Sequence, residues 1–162
     1  MMVVVVMGVA GCGKSTIGPL IAKALGGDFA EGDTFHPPAN VAKMSRGEPL
    51  DDSDRMPWLA AMAEAIRGWQ PKERPTVLDC SALRQRYRDI LAGGSSEVRF
   101  VYLRGTQAAI AERIGARRNH FMPPSLLASQ FATLEEPVDS IAVDVAGTPE
   151  SIAAAALKQL RR

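Results

Sequence analysis

Cysteine, histidine and net charge are scarce in this sequence, and each shortage excludes a class of protein. Cys12 and Cys80 are the only cysteines among 162 residues, and there are two histidines. A disulfide scaffold and a structural zinc site are therefore not expected, and a reducing compartment is favoured. The formal net charge of +1 argues against a nucleic-acid partner and against a polybasic membrane anchor.

Long hydrophobic runs are missing as well. The apolar segment at residues 1–7 has no charged region before it, stops at Gly8 and is too short for a signal peptide or a membrane span. We therefore expect a cytoplasmic protein with no membrane partner. With 46% hydrophobic and 23% charged residues, the chain is expected to form a single domain over residues 1–162 with its own core.

Strand-like and helix-like segments alternate along the chain. Predicted strands cover residues 3–6, 28–31, 76–80, 98–103 and 141–145. Predicted helices cover residues 14–25, 39–44, 55–69, 84–91, 107–117 and 123–134, with a last helix capped by Thr148. Pro19 is expected to distort the first helix, because proline lacks the backbone donor. Strands alternating with helices imply right-handed crossovers, so we predict a three-layer α/β fold around a parallel sheet.

The strongest motif is the segment G-V-A-G-C-G-K-S, from Gly8 to Ser15, which matches the phosphate-binding P-loop G-x-x-x-x-G-K-[ST]. A buried strand precedes it and a helix follows, as the motif requires. Lys14 is expected to reach the β- and γ-phosphates, and the Ser15 hydroxyl to bind Mg²⁺. The expected nucleotide-binding residues here are Gly8, Val9, Ala10, Gly11, Cys12, Gly13, Lys14, Ser15 and Thr16. Cys12 is interpreted as a small residue tolerated in the loop, with a redox-sensing thiol as the alternative.

A P-loop indicates nucleotide binding but leaves the second substrate open. The chain has no obvious N-K-x-D motif for reading guanine, and motor and helicase cores are larger, so a small-molecule kinase is favoured. A non-catalytic nucleotide-sensing module is the alternative from another class. Asp33 follows the second predicted strand, at the sheet edge where such folds bind ligands. It is either the group that accepts a substrate proton or helps hold Mg²⁺, or a turn residue after Gly32.

Beyond the P-loop, an ordered set of motifs resembles the bacterial-type gluconate kinases. The motifs are Gly32-Asp33-x-x-His36-Pro37, Asn40-x-x-Lys43-Met44, Gly47-Glu48-Pro49-Leu50-x-Asp52-x-Asp54-Arg55-x-Pro57-Trp58-Leu59, Cys80-Ser81-Ala82-Leu83-Arg84, Tyr87-Arg88-Asp89, His120-Phe121, Ser129-Gln130-Phe131, Leu134-Glu135 and Glu136-Pro137. They follow the family's order over nearly the whole chain.

The resemblance implies an adenylate-kinase-like P-loop fold with a five-stranded parallel sheet and a helical lid. It implies transfer of the ATP γ-phosphoryl group, with Mg²⁺, to the 6-hydroxyl of D-gluconate, giving 6-phospho-D-gluconate for sugar-acid catabolism. It also implies a homodimer. The same fold with shikimate or another small hydroxy acid as acceptor is the alternative.

The resemblance also implies roles for individual residues. Substrate-binding roles fall on Asp33, His36, Lys43, Arg84, Arg88, His120 and Gln130, and catalytic roles on Lys14, Asp33 and Arg117. Arg84 and Arg88 are four residues apart, so they share a helix face that either lines the sugar-acid pocket or is simply solvated. The region around residues 33–58 would bind the acceptor. A lid around residues 113–134 would bring Arg113 and Arg117 to ATP, the alternative being an ordinary basic helix end.

Two acidic features remain outside these assignments. The run at Asp51, Asp52 and Asp54 is interpreted as a capped helix start, with Asp54 as the cap. Asp79 ends an apolar strand where the family is expected to carry an apolar residue. It either contacts Mg²⁺ through water or is exposed at the strand end.

Overall fold

A five-stranded parallel sheet forms the centre of the protein. The computed structural model describes residues 1–116 and 124–162. The strands are β1 (Val3–Met7), β2 (Asp28–Glu31), β3 (Thr76–Asp79), β4 (Val98–Arg104) and β5 (Ile141–Asp144), and they lie in the order β2-β3-β1-β4-β5. The helices are α1 (Lys14–Leu25), α2 (Pro38–Ser45), α3 (Asp52–Trp69), α4 (Gln85–Ala92), α5 (Gln107–Gly115), α6 (Pro124–Thr133) and α7 (Pro149–Leu160), with a 3₁₀ turn at Gly32–Phe35. The predicted three-layer, five-stranded parallel fold is confirmed.

The central strand explains the three layers. Every residue of β1 is fully buried, because a strand between two helical layers presents both faces to a core. Val4 and Val6 belong to one core cluster, together with apolar residues of α1, α5, α6 and α7. Val3, Val5 and Met7 belong to the other, with residues of α3 and α4. The alternation of side chains along one strand thus assigns the helices to two faces.

Helix α3 begins earlier than predicted, and the expectation that Asp54 caps it is wrong. Asp51 is the cap, and its Oδ1 accepts from the Asp54 backbone N–H at 2.8 Å. Asp54 returns the contact, since its Oδ2 accepts from the Asp51 N–H at 3.0 Å. This reciprocal capping box satisfies two donors that the helix leaves free, so residues 52–54 join the first turn.

Helix α1 continues through Pro19 from Lys14 to Leu25, so the expected distortion does not interrupt it. Gly18 has a separate reason to be small. A Cβ there would lie 2.5 Å from Cε1 of Phe29 on β2. Gly18 therefore lets α1 approach the sheet closely.

The other predicted elements agree with the structure to within one or two residues. Thr148 caps α7 as expected, accepting from the Ser151 N–H at 3.1 Å. The predicted last residue of α5, at 117, and first residue of α6, at 123, lie outside the described residues. None of the helices in the described ranges combines the length and apolarity needed to cross a membrane.

Candidate active site

The P-loop connects the buried end of β1 to the start of α1. Gly13 is the N-cap of α1 and has φ +107°, and Gly11 has φ +80°. Both values lie in the left-handed region that glycine adopts without strain. A Cβ on Gly11 would also lie 2.5 Å from Cγ1 of Ile114 on α5. The two glycines therefore let the loop turn tightly beneath α5 and lead into a helix N-terminus, which is a favourable place for phosphate.

Lys14 folds back over this loop. Its Nζ donates to the carbonyl oxygens of Gly8 at 2.9 Å and Val9 at 3.0 Å. Ser15 and Thr16 are exposed on the first turn of α1. The ammonium group thus lies beside the anion cradle, where it can exchange carbonyl partners for phosphate oxygens.

The Cys12 side chain is fully buried. A Cβ added to Gly8 would lie 2.7 Å from the Cys12 Sγ, so the thiol packs beneath the loop. This burial supports the interpretation of Cys12 as a small packing residue, since a redox sensor needs an accessible thiol. The second free thiol, Cys80, is also buried, and burial raises its pKa to about 12.

Arg113 links the P-loop to the end of β5. Its Nη1 donates to the Cys12 carbonyl at 3.3 Å and its Nη2 to the Val145 carbonyl at 2.6 Å. The predicted lid residue is therefore close to the nucleotide loop. Arg117, its expected partner, lies outside the described residues.

Asp33 lies in the 3₁₀ turn directly after β2, and its side chain is 94% exposed. The backbone of the preceding residue, Gly32, is held on both sides. The Gly32 N–H donates to Asp79 Oδ1 at 2.8 Å, and the Gly32 carbonyl accepts from Trp58 Nε1 at 2.8 Å. An exposed carboxylate is thus presented from a fixed backbone, which suits a group that must meet a substrate hydroxyl.

His36 lies beside this turn with its ring stacked on Trp58, 4.2 Å between centroids. Its Nδ1 lies 3.2 Å from Nδ2 of Asn40, which also donates to the Asp54 carbonyl at 2.8 Å. This network makes Nδ1 an acceptor and assigns the proton of neutral His36 to Nε2. Nε2 is 3.9 Å from Asp33 Oδ1.

Burial determines the charge of His36. Desolvation lowers the pKa of the imidazole, and the nearby Arg55 lowers it further, while Asp33 opposes the shift. His36 is therefore neutral at pH 7 and offers an N–H donor near Asp33.

Lys43 forms an ion pair with Asp54 at 2.6 Å. The hydrogen bond between them raises the pKa of Lys43 and lowers that of Asp54. The pair joins α2 to the first turn of α3, so the ammonium group already has a protein partner. Its contact with substrate remains a prediction.

Arg84 and Arg88 have different surroundings although both were predicted to line one pocket. Arg88 is 2% exposed. Its Nη1 donates to the Ala82 carbonyl at 2.7 Å, and its Nη2 to the Glu135 carbonyl at 2.7 Å and to Gln85 Oε1 at 3.1 Å. Its Nε, like that of Arg84, is buried without a hydrogen-bond partner among the described residues. Through its two Nη atoms Arg88 holds two loops together in this structure.

Arg84 is the N-cap of α4 and only partly buried. Its Nε is buried and has no hydrogen-bond partner among the described residues. A guanidinium group with an unused donor fits a carboxylate ligand. Arg86, expected on the surface, is exposed and pairs with Asp52 at 3.3 Å.

Asp79 is half-buried at the carboxyl end of β3. It pairs in register with Val6 of β1 and with Glu31 of β2. Burial raises the pKa of its carboxyl group, while the Gly32 N–H and the charge of Lys14 lower it. One of the two predictions for Asp79 was exposure at the strand end. The structure instead shows a half-buried side chain that accepts a hydrogen bond from the backbone of Gly32, next to Asp33.

Gln130 contacts the nucleotide loop. Its Oε1 accepts from the Ala10 N–H at 2.6 Å. This contact, like those of Trp58 and Asn40, joins residues far apart in sequence, and no local pattern indicates it. His120, the remaining predicted substrate ligand, lies outside the described residues.

The residues present fit a magnesium ion bound mainly through nucleotide phosphates. Ser15 supplies an exposed hydroxyl at the start of α1. Over residues 1–116 and 124–162, no cluster of three or more His, Cys, Asp or Glu side chains has the arrangement of a metal cage. Mg²⁺ in phosphate-transfer sites typically needs few protein ligands and retains several waters.

Comparisons with known proteins agree with this geometry. A family profile described as "Shikimate kinase" matches residues 10–161. The chain is similar to the gluconokinase of Gluconobacter oxydans (strain 621H), with 49% identity over 135 residues, which are 83% of this chain and 76% of the relative. It is also similar to the thermoresistant gluconokinase of Escherichia coli (strain K12), with 38% identity over 162 residues, covering 98% of this chain and 93% of the relative.

A solved structure extends the similarity to three dimensions. The crystal structure of a gluconokinase from Sinorhizobium meliloti 1021 matches with a TM-score of 0.90 and 47% identity, covering 99% of this chain and 92% of that one. The predicted P-loop kinase fold is confirmed by these matches.

Proposed function

The chain is a kinase that belongs to the gluconokinase family of P-loop domains, and from that premise we propose that it transfers the γ-phosphoryl group of ATP to the 6-hydroxyl of D-gluconate. The product is 6-phospho-D-gluconate, which enters sugar-acid catabolism. Membership of a kinase family removes the reason to retain a non-catalytic nucleotide-sensing module.

One observation carries the proposal. The phosphate loop and the Asp33 turn emerge at the same edge of the sheet, because β1, β3 and β2 are adjacent parallel strands. Asp79 is in register with both neighbours and receives the Gly32 N–H. A nucleotide bound at Lys14 and a hydroxyl bound at Asp33 would therefore meet at this edge, and phosphoryl transfer depends chiefly on such positioning.

In the proposed reaction the 6-hydroxyl oxygen of gluconate attacks the γ-phosphorus, and the bond from that phosphorus to the β–γ bridging oxygen breaks. Asp33 accepts the hydroxyl proton, and ADP leaves. Lys14 compensates charge on the phosphates. Mg²⁺, when bound at Ser15 and the phosphates, supplies further charge neutralisation.

The sugar acid needs partners for a carboxylate and several hydroxyls. Arg84 is proposed for the carboxylate, because it is more accessible than Arg88, its Nε is unused among the described residues and a guanidinium binds carboxylates bidentately. His36 is proposed as a hydroxyl donor through Nε2. Direct contacts from Lys43, Arg88 and His120 belong to the proposal on the family resemblance alone.

A lid over residues 113–134, with Arg113 and Arg117 closing on ATP, is likewise part of the proposal, as is a homodimer. Arg113 supports the lid assignment, since its guanidinium group already contacts the P-loop carbonyl of Cys12. Light scattering coupled to size-exclusion chromatography tests the dimer directly.

The test is ADP release from ATP and Mg²⁺ with D-gluconate, shikimate and related sugar acids. Selective turnover of gluconate is expected. Shikimate is the second candidate because of the matching family profile, and selective turnover of shikimate would replace gluconate as the acceptor. No stimulation by any acceptor would contradict the kinase assignment.

Asp33→Asn tests the proton acceptor. We expect kcat to fall about 10²–10⁴-fold with ATP affinity retained. Asp28→Asn is the matched control, since Asp28 stands at the opposite end of β2 in an exposed pair with Arg74, 3.0 Å away. Equal losses in the two variants would contradict a special role for Asp33.

A further inference from the structure

The contact between Gln130 and the P-loop is not explained by sugar-acid binding. Gln130 Oε1 accepts from the Ala10 N–H at 2.6 Å, across 120 residues of sequence. Ala10 lies inside the phosphate motif, whose N–H groups are the donors of an anion site. One of these donors is thus held by a neutral amide oxygen from α6.

The position of Gln130 is set by the packing of its own helix. Leu127, one turn earlier, is 2% exposed, and Phe131 and Leu134 pack against the same core cluster. The amide therefore reaches the loop from a docked helix, and the contact is not an isolated surface interaction.

The chain after α6 is attached to the acceptor side of the site. The Glu135 N–H donates to the Leu83 carbonyl at 2.7 Å, and the Glu135 carbonyl accepts from Arg88 Nη2 at 2.7 Å. The Gln85 N–H donates to Glu135 Oε1 at 3.0 Å. The segment from Gln130 to Glu135 therefore bridges the P-loop and the loop between β3 and α4.

We propose that Gln130 is a positioning residue for the nucleotide: by holding the Ala10 N–H from a docked helix, it keeps the P-loop in the conformation that receives the triphosphate. The inference rests on the proposed function for the identity of that nucleotide. A loop that is already ordered loses less conformational entropy when the nucleotide binds. A residue that orders the loop can therefore raise the affinity for the nucleotide without contacting it. Gln130 then acts on the nucleotide side and not on the sugar acid.

Gln130→Met tests this, because methionine has a similar length and no amide oxygen. We expect the Kd for a non-hydrolysable ATP analogue with Mg²⁺, measured by calorimetry, to rise about tenfold, the effect of losing one hydrogen bond. The KM for gluconate is expected to stay within twofold. Ser129→Met is the matched control, since it places the same side chain at the adjacent exposed position and is expected to leave both constants unchanged.

Thermal unfolding without nucleotide checks that both variants are folded. A raised KM for gluconate with unchanged nucleotide affinity would overturn the inference, because Gln130 would then serve the acceptor. Tighter nucleotide binding would also overturn it, since the amide would then compete with phosphate. If Gln130→Met changed neither the Kd for the ATP analogue nor the KM for gluconate, the inference would be overturned as well. Nucleotide binding without gluconate turnover by the unaltered protein would contradict the proposed function and leave this inference standing.

Discussion

Arg88 offers a quantitative test of whether a buried arginine organises the site or touches the substrate. The guanidinium group donates to two backbone carbonyls, those of Ala82 and Glu135, each at 2.7 Å. Ala82 has φ +45°, an unfavourable value for a residue with a Cβ. Arg88 therefore stabilises a strained loop next to Arg84 and fastens the chain after α6 to it.

Arg88→Lys keeps the charge but lacks the planar fork that reaches both carbonyls. A hydrogen bond to a charged group contributes about 1.5–3 kcal/mol, and a buried carbonyl left without a donor costs about 1–3 kcal/mol. Since the single Nζ of lysine cannot take the positions of both Nη1 and Nη2, at least one of these two hydrogen bonds should be lost or lengthened, and we expect a loss of roughly 2–4 kcal/mol in the free energy of unfolding. For a chain of this size that loss lowers Tm by roughly 5–15 °C.

Urea unfolding followed by circular dichroism measures this difference. Arg86→Lys is the control on the same helix, because Arg86 is exposed and its pair with Asp52 is worth about 0–1 kcal/mol. If Arg88→Lys were as stable as Arg86→Lys but had a much higher KM for gluconate, the structural assignment would be refuted. The directly substrate-binding Arg88 implied by the family resemblance would then be correct.

Two further predictions concern the Asp33 turn. Burial lowers the pKa of His36, so the unfolded chain takes up the proton first as pH falls below about 6.5. In urea titrations, the stability advantage of the unaltered protein over His36→Gln should therefore be constant from about pH 8 to 7 and shrink below about 6.5. A constant difference in the free energy of unfolding down to about pH 5 would contradict this expectation. Gly32→Ala places a Cβ 2.3 Å from the Asp79 carbonyl oxygen, so we expect the free energy of unfolding to fall by about 1–3 kcal/mol and kcat to fall as well. The control is Gly68→Ala, where the Cβ meets nothing within 4 Å; it should be neutral or stabilising by up to about 1 kcal/mol. Equal melting temperatures for the two variants would refute this account.

The fold was predictable because its signals are local. The run Val3–Met7 reveals a strand buried on both faces, and the glycines and Lys14 of the P-loop follow it immediately. Thr148 and Pro149 mark the start of α7 in the same way. Each feature needs only neighbouring residues, so the strands and helices could be placed to within one or two positions, except for the start of α3, which lies three residues earlier than predicted.

The candidate site was less predictable because its contacts join distant segments. The spacing of the two arginines does not reveal that Arg88 is buried and donates to the carbonyls of Ala82 and Glu135, whereas Arg84 is only partly buried. The family motif likewise includes Gln130 without indicating that its amide oxygen meets the Ala10 N–H. The misplaced cap at Asp54 has a different cause, since Asp51 and Asp54 are both good capping residues and the reciprocal contact decides between them.

Asp79 shows how one unexpected residue connects the two halves of the site. A carboxylate at the end of a strand is costly to bury unless donors receive it, and the Gly32 N–H is such a donor, 2.8 Å away. Lys14 favours the charged form, and Asp33 and Glu31 oppose it. Gly32 directly precedes Asp33, the proposed proton acceptor. The backbone that presents Asp33 is therefore held by Asp79, whose carboxyl group is influenced by the charge of Lys14. Through its hydrogen bond to the Gly32 N–H and its register with Val6, Asp79 joins the turn that carries Asp33 to the strand that leads into the P-loop.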